Sequence, residues 1–154
     1  MRPCVPANWE REDEMSNALI EVGKAPVMAY SEKNWDKARA SVTPNYHYDE
    51  VATHRAVDGI DKVLDVWKGW AKAFPDSKAT FHDAFASGDT VVVELTWKGT
   101  HTGPLSTPSG EVAPTGKSIN LRAVQIQEVK NGKVASTRQY FDMATLMSQL
   151  GLKG

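Results

Sequence analysis

The apolar residues of this chain change their spacing near residue 78. Before that point they recur every three to four positions, and after it they alternate, a sequence of periods that few folds accommodate. The clearest helical stripe lies within residues 58–74, where Ile60, Val63, Leu64, Trp67, Trp70, Ala71 and Phe74 share one face and Pro75 ends the run. Upstream, Met15, Ala18, Leu19 and Val22 predict a helix over 10–30, opened by solvated acids at Glu10, Glu12, Asp13 and Glu14. Pro26 within it predicts a kink or two short helices. Asn34 is a candidate cap for a further short helix stopped before Pro44, and residues 46–52 are rich in strand formers.

Beyond residue 78, Ala79, Phe81 and Phe85 alternate with Thr80, His82 and Ala84, and Ser87-Gly-Asp marks a turn. Residues 90–97 and 118–129 read as the strongest strands, and Asn131-Gly predicts a hairpin into a strand over 133–142. A last helix over 143–150 takes Gly151 as its C-terminal cap. Helices followed by a strand meander predict an α+β fold, the helices covering one face of a strongly curved antiparallel sheet. The glycine- and proline-rich segment 103–117 is left as a loop, either a pocket lid or a partner-contacting loop.

Composition narrows the function. The chain has 154 residues, enough for one core and too few for two. Its formal net charge of −1 provides no basic field for a nucleic-acid backbone. No run of about eighteen apolar residues is present to span a membrane, and the opening residues lack the apolar stretch of a secretory signal. The expectation is a soluble, cytoplasmic domain. Cys4 stands alone, so neither an internal disulfide nor an all-cysteine zinc site forms. The cluster His47, Asp49, Glu50 and His54 lacks metal-ligand spacing, because on a strand His47 and His54 point to opposite faces.

Several motifs carry candidate chemistry. By alternation Arg138, Tyr140 and Asp142 share a strand face. If that face is concave, Asp142 ends an apolar pocket, where desolvation raises a carboxyl towards the working range of an acid or base. Asp142 also stands where a helix N-cap belongs, and there backbone N–H groups lower it. Both readings stay open. His101, at the end of the best strand, is either a proton shuttle at a pocket rim or a satisfied structural histidine, and His82 is similar. Trp67 and Trp70 either pack the sheet or wall a pocket, and Gln125 joins them as a candidate pocket residue. Gly110-Glu-Val-Ala-Pro-Thr-Gly-Lys-Ser has five residues between its glycines and leads into a strand, so it is not a phosphate loop. Neither a nucleophile elbow nor a dinucleotide fingerprint is present.

Four segments, Phe74-Pro-Asp, Gly99-Thr-His-Thr-Gly, Pro114-Thr-Gly-Lys and the ending Tyr140-Phe-Asp-Met-Ala-Thr-Leu-Met-Ser-Gln-Leu-Gly, fit one pattern. The sequence resembles the SnoaL-like polyketide cyclase (ester cyclase) family of the nuclear-transport-factor-2-like (cystatin-like) superfamily over residues 12–152, with 1–11 as a tail. The resemblance implies a cone around an apolar cavity, a homodimer, and ring closure without metal or cofactor. It assigns acid–base work to Asp142 and a pocket role to His101. Arg138 stands where the family often carries Trp, which implies a ligand with an anionic or carbonyl group. The implied function is a cofactor-independent acid–base enzyme for a small carbonyl-containing molecule. Asp142 and His101 would be catalytic, and Tyr140, Arg138, Trp67, Trp70, His82 and Gln125 would bind substrate. The alternatives are a non-catalytic small-molecule binder, favoured by an open pocket with Asp142 occupied as a cap, and a dimerisation module with a filled core.

Overall fold

The computed structural model describes residues 7–152; Cys4 and the rest of the first six residues lie outside the described residues. Helix α1, Ala7–Glu32, runs on through Pro26 and is not divided by it. Helix α2, Trp35–Ala40, starts where Asn34 accepts the Lys37 backbone N–H at 3.1 Å, so the predicted cap forms. Strand β1, Val42–Glu50, is longer than expected and takes in Pro44. A 3-10 turn, Val51–Thr53, and a short strand β2, Arg55–Asp58, follow. Helix α3, Ile60–Ala73, buries its predicted stripe, including Val63, Leu64 and Trp67.

Strands β3, Lys78–Ser87, β4, Thr90–Thr100, β7, Ser118–Lys130, and β8, Lys133–Phe141, supply the meander, and helix α4, Met143–Gln149, closes the chain. The six-stranded sheet is ordered β2-β1-β8-β7-β4-β3. Every junction is antiparallel except β1 with β8, which is parallel. Asn131 and Gly132, at φ 52° and 73°, make the predicted two-residue hairpin between Lys130 and Lys133. The segment expected as loop contains a small hairpin of its own, β5, Leu105–Thr107, and β6, Gly110–Val112.

Two bulges decide which side chains point inward. In β3, Phe81 pairs with Leu95 and Asp83 with Glu94, leaving His82 as the additional residue. In β8, Val134 pairs with Val129 and Ser136 with Glu128, leaving Ala135 additional. Each added residue exchanges the two faces for the rest of its strand. Ala84 and Ala86 therefore pack inward beside Ala79 and Phe81, and Phe85 turns out, 57% exposed. The interior is built where α1 covers Val91, Val93 and Leu95 of β4, and where α3 covers Tyr46 and Tyr48 of β1. At Gly103 a Cβ would collide with the Lys72 carbonyl. The Thr102 and Gly103 N–H groups approach that closely because both donate to Ala73 O at 3.1 Å, capping the end of α3. No described helix is long and apolar enough to cross a membrane.

Candidate functional site

Between α1, α3 and the inward face of the sheet lies a cavity of about 70 Å³. Eight of its lining residues are aromatic: Tyr30, Tyr46, Tyr48, Trp67, Trp70, Phe74, Trp97 and Phe141. These rings hold one another edge to face. Trp67 meets Tyr46 and Tyr48 at centroid distances of 6.0 and 5.7 Å, Tyr30 meets Trp97 at 5.2 Å, and Trp70 meets Phe141 at 6.1 Å. An apolar cavity that holds a benzene measures ~150 Å³. A ring therefore enters this one only if a wall shifts, and Trp70, Trp97 and Phe141 are its partly exposed members.

Besides the aromatic hydroxyls and indoles, the polar lining residues are Ser77, Gln125 and Gln139. Gln125 and Gln139, adjacent across the β7–β8 ladder, both line the cavity. Gln139 Nε2 donates to the Tyr48 hydroxyl at 3.0 Å, and that hydroxyl donates to Glu50 Oε2 at 3.0 Å. Glu50 is fully buried behind the aromatic wall and accepts four bonds. Oε2 also receives Trp70 Nε1 at 2.8 Å, while Oε1 receives Arg55 Nη2 at 2.9 Å and Thr53 Oγ1 at 2.6 Å. The chain folds back to make this set because His54 sits in the left-handed region at φ 56°, turning Arg55 onto Glu50. Burial and then the Glu50 charge push the Tyr48 phenol well up, and burial pushes Tyr30 up to about 12. Both are neutral at ordinary pH.

Of the residues singled out from sequence, Trp67, Trp70 and Gln125 line the cavity. The others do not line it. Asp142 is exposed and caps α4, accepting Ala144 N at 2.9 Å and Thr145 Oγ1 at 2.8 Å. Those two bonds, the Thr145 one first, hold its carboxyl below the usual range, so the cap reading is the one realised. Arg138 and Tyr140 lie on the outer face with it, because the bulge at Ala135 turns Thr137, Gln139 and Phe141 inward. Tyr140 is 42% exposed. His82 is the bulged residue of β3, exposed, with Nε2 2.5 Å from Thr96 Oγ1.

His101 is fully buried but stands one layer behind the cavity, stacked on Phe74 at 5.1 Å. Its Nδ1 accepts the Thr115 N–H at 3.2 Å, which leaves the proton on Nε2, and Nε2 has no hydrogen bond of normal geometry. Burial lowers its pKa, opposed by the Gly103 backbone.

Sequence reasoning missed Tyr30, Tyr48, Trp97, Gln139 and Glu50. The signal for Glu50 was the polarity of residues 46–54, and the signal for Gln139 was its parity with Phe141 once the bulge is counted. Among the described residues no three His, Cys, Asp or Glu side chains gather in a metal-binding arrangement.

A family model described as SnoaL-like polyketide cyclase matches residues 21–150. No curated protein matches the sequence. Among solved structures, a candidate SnoaL-like polyketide cyclase from Jannaschia sp. CCS1 superimposes with a TM-score of 0.79 at 18% identity, covering 100% of both chains. TsrD from Streptomyces laurentii gives 0.76 at 21% identity, covering 89% of this chain and 97% of its own. A protein of ketosteroid isomerase-like fold from Catenulispora acidiphila gives 0.73 at 16%, covering 86% and 94%. At such identities these likenesses are of fold.

Proposed function

We propose, for a chain that belongs to the SnoaL-like polyketide cyclase family, that it binds a small aromatic molecule, or the ring-sized end of a larger one, inside the cone. The observation that carries this reading is the cavity itself, walled by eight aromatic rings with few other polar side chains, Gln125 and Gln139 among them. Binding is favoured over acid–base catalysis by Asp142, because the carboxylate assigned to proton transfer is a solvent-facing cap away from the cavity. Ligand binding to the folded state raises apparent stability by RT ln(1 + [L]/Kd). α-Methylstyrene, a single planar ring with a short branch, should raise Tm in the wild type. Leu121→Phe, which fills the cavity from β7, should remove that shift. A shift equal in both proteins would place the ligand elsewhere and reject the reading.

A second reading is cofactor-independent chemistry on a carbonyl compound, and the Gln139 amide, held in place by Tyr48 and Glu50, favours it. Tyr48 gives its one O–H to Glu50 and accepts from Gln139, which leaves the second N–H of the Gln139 amide to donate to an oxygen that gains charge. Tyr48→Phe removes the acceptor that orients Gln139 and keeps the ring. Undiminished turnover in this variant, with a substrate once found, rules the catalytic reading out. The proposal extends to a homodimer through the outer sheet face, where Phe85 and Tyr140 are exposed. Sedimentation of Phe85→Lys tests it, a monomeric wild type being the contrary result.

A further inference from the structure

A row of polar side chains that runs through Gln125, Gln139 and Tyr48 of the cavity wall has a single hydrogen-bond direction. Gln127 Nε2 donates to Gln125 Oε1 at 3.0 Å, Gln125 Nε2 to Gln139 Oε1 at 2.8 Å, Gln139 Nε2 to Tyr48 at 3.0 Å, and Tyr48 to Glu50 at 3.0 Å. Three anchors that cannot exchange roles fix this direction. The Glu50 carboxylate accepts only, so Tyr48 must donate to it. The Trp97 indole donates only, and its bond to Gln139 Oε1 at 3.0 Å forces the Gln139 amide nitrogen towards Tyr48. The Gly23 carbonyl accepts only, and it takes the other N–H of Gln127 at 2.8 Å. No amide in the row can flip without setting donor against donor or acceptor against acceptor.

The remaining valences follow by counting. An amide nitrogen carries two N–H groups. Gln127 uses both, whereas Gln125 and Gln139 each use one among the described residues, and these two line the cavity. Their oxygens are covered, that of Gln139 by two donors. Both residues are 6% exposed, so water satisfies little of what is left over. A buried N–H without a partner is rarer than a carbonyl with one lone pair unused. At the Gln125–Gln139 pair the wall therefore offers donors and withholds acceptors.

We propose that Gln125 and Gln139 form a two-donor bracket that selects, among ring-sized ligands, those presenting an acceptor oxygen (a ketone, quinone or ether) over those presenting a hydroxyl or amine hydrogen. Glu50, Tyr48 and Trp97 are positioning residues for the bracket. This inference rests on the reading of the cavity as a small-molecule site.

Three probes separate the two claims. Acetophenone and α-methylstyrene are close in size and outline, differing in O against CH2, and indole carries a donor and no comparable acceptor. Calorimetric titration should find acetophenone bound about tenfold tighter than either, the worth of one to two buried hydrogen bonds. The infrared carbonyl band of bound acetophenone should lie below its position in cyclohexane. Gln125→Leu should erase the acetophenone margin and leave α-methylstyrene binding intact; if that variant does not fold, the band position in the wild type decides. α-Methylstyrene or indole binding as tightly as acetophenone, or a band at the cyclohexane position, overturns the bracket and leaves the small-molecule reading standing. Failure of all three probes to bind overturns that reading and the bracket with it.

Discussion

The Tyr48 hydroxyl donates to Glu50 Oε2 across 3.0 Å, and the acid it serves is fully buried while the Arg55 side chain that balances it is 38% exposed. A buried ion pair is weak evidence for stability, but removing one member strands the other. Glu50→Leu leaves Arg55, Thr53, Tyr48 and Trp70 without their acceptor. We expect a loss of about 3 kcal/mol in urea unfolding, towards the lower end for buried pairs because Arg55 reaches solvent. Adding Arg55→Leu should recover part of it. A Glu50→Leu protein as stable as the wild type would mean that the pair contributes nothing.

Asp142 makes the opposite prediction for function. Its carboxyl faces solvent and serves the first turn of α4, so Asp142→Asn should bind aromatic probes as the wild type does. The cap should still show in stability. The folded-state pKa lies below the usual carboxyl value of 3.8 because Thr145 and then Ala144 donate to the carboxylate. That contribution is complete above pH 3.8 and disappears as pH falls through the lower folded value. Asp142→Ala should melt below wild type at neutral pH and converge on it in strong acid. A parallel gap at every pH would argue against the cap.

Sequence carried the fold further than the site, and two single residues explain the difference. The spacing of Trp67 and Trp70 put both on the buried stripe of α3, and Gln125 follows from sharing parity with Leu121 and Ala123 on β7. Arg138, Tyr140 and Asp142 do alternate together, but on the wrong face. A straight register from the Asn131–Gly132 hairpin would place Arg138 opposite Gln125; the added Ala135 places Gln139 there instead. His82 does the same in β3 and expels Phe85. Bulges have no period, so alternation does not reveal them. Glu50 was hidden for another reason: among its partners Trp70 lies 20 positions along the chain, and only the packing of α3 on β1 brings them together.

His101 should leave a pH signature in stability and none in ligand contact. Burial lowers its pKa below the usual imidazole value of 6.5, so the folded state releases its proton more readily than the unfolded chain. Stability is then full above pH 6.5. It declines as pH falls from 6.5 towards the folded value, where only the unfolded chain binds the proton, and levels off below that. Gln at this position keeps an acceptor for the Thr115 N–H without titrating. Denaturant midpoints of wild type and His101→Gln should diverge below pH 6.5 and run parallel above it. Identical pH profiles would show that the imidazole does not titrate between the two states.

Trp97 links packing to selectivity. Its ring packs edge to face on Tyr30 at 5.2 Å, and its Nε1–H is one of the groups that hold Gln139 in a single orientation. Trp97→Phe keeps an aromatic wall and removes that anchor. The lost hydrogen bond should cost about 1 kcal/mol in urea unfolding. Gln139 still meets the Gln125 amide on the same oxygen and Tyr48 on its nitrogen, so the row should loosen and not reverse. The expected result is a smaller margin of acetophenone over α-methylstyrene with α-methylstyrene affinity retained. A margin as large as in the wild type would mean that Glu50, through Tyr48, fixes the direction by itself, with the indole serving only as a wall.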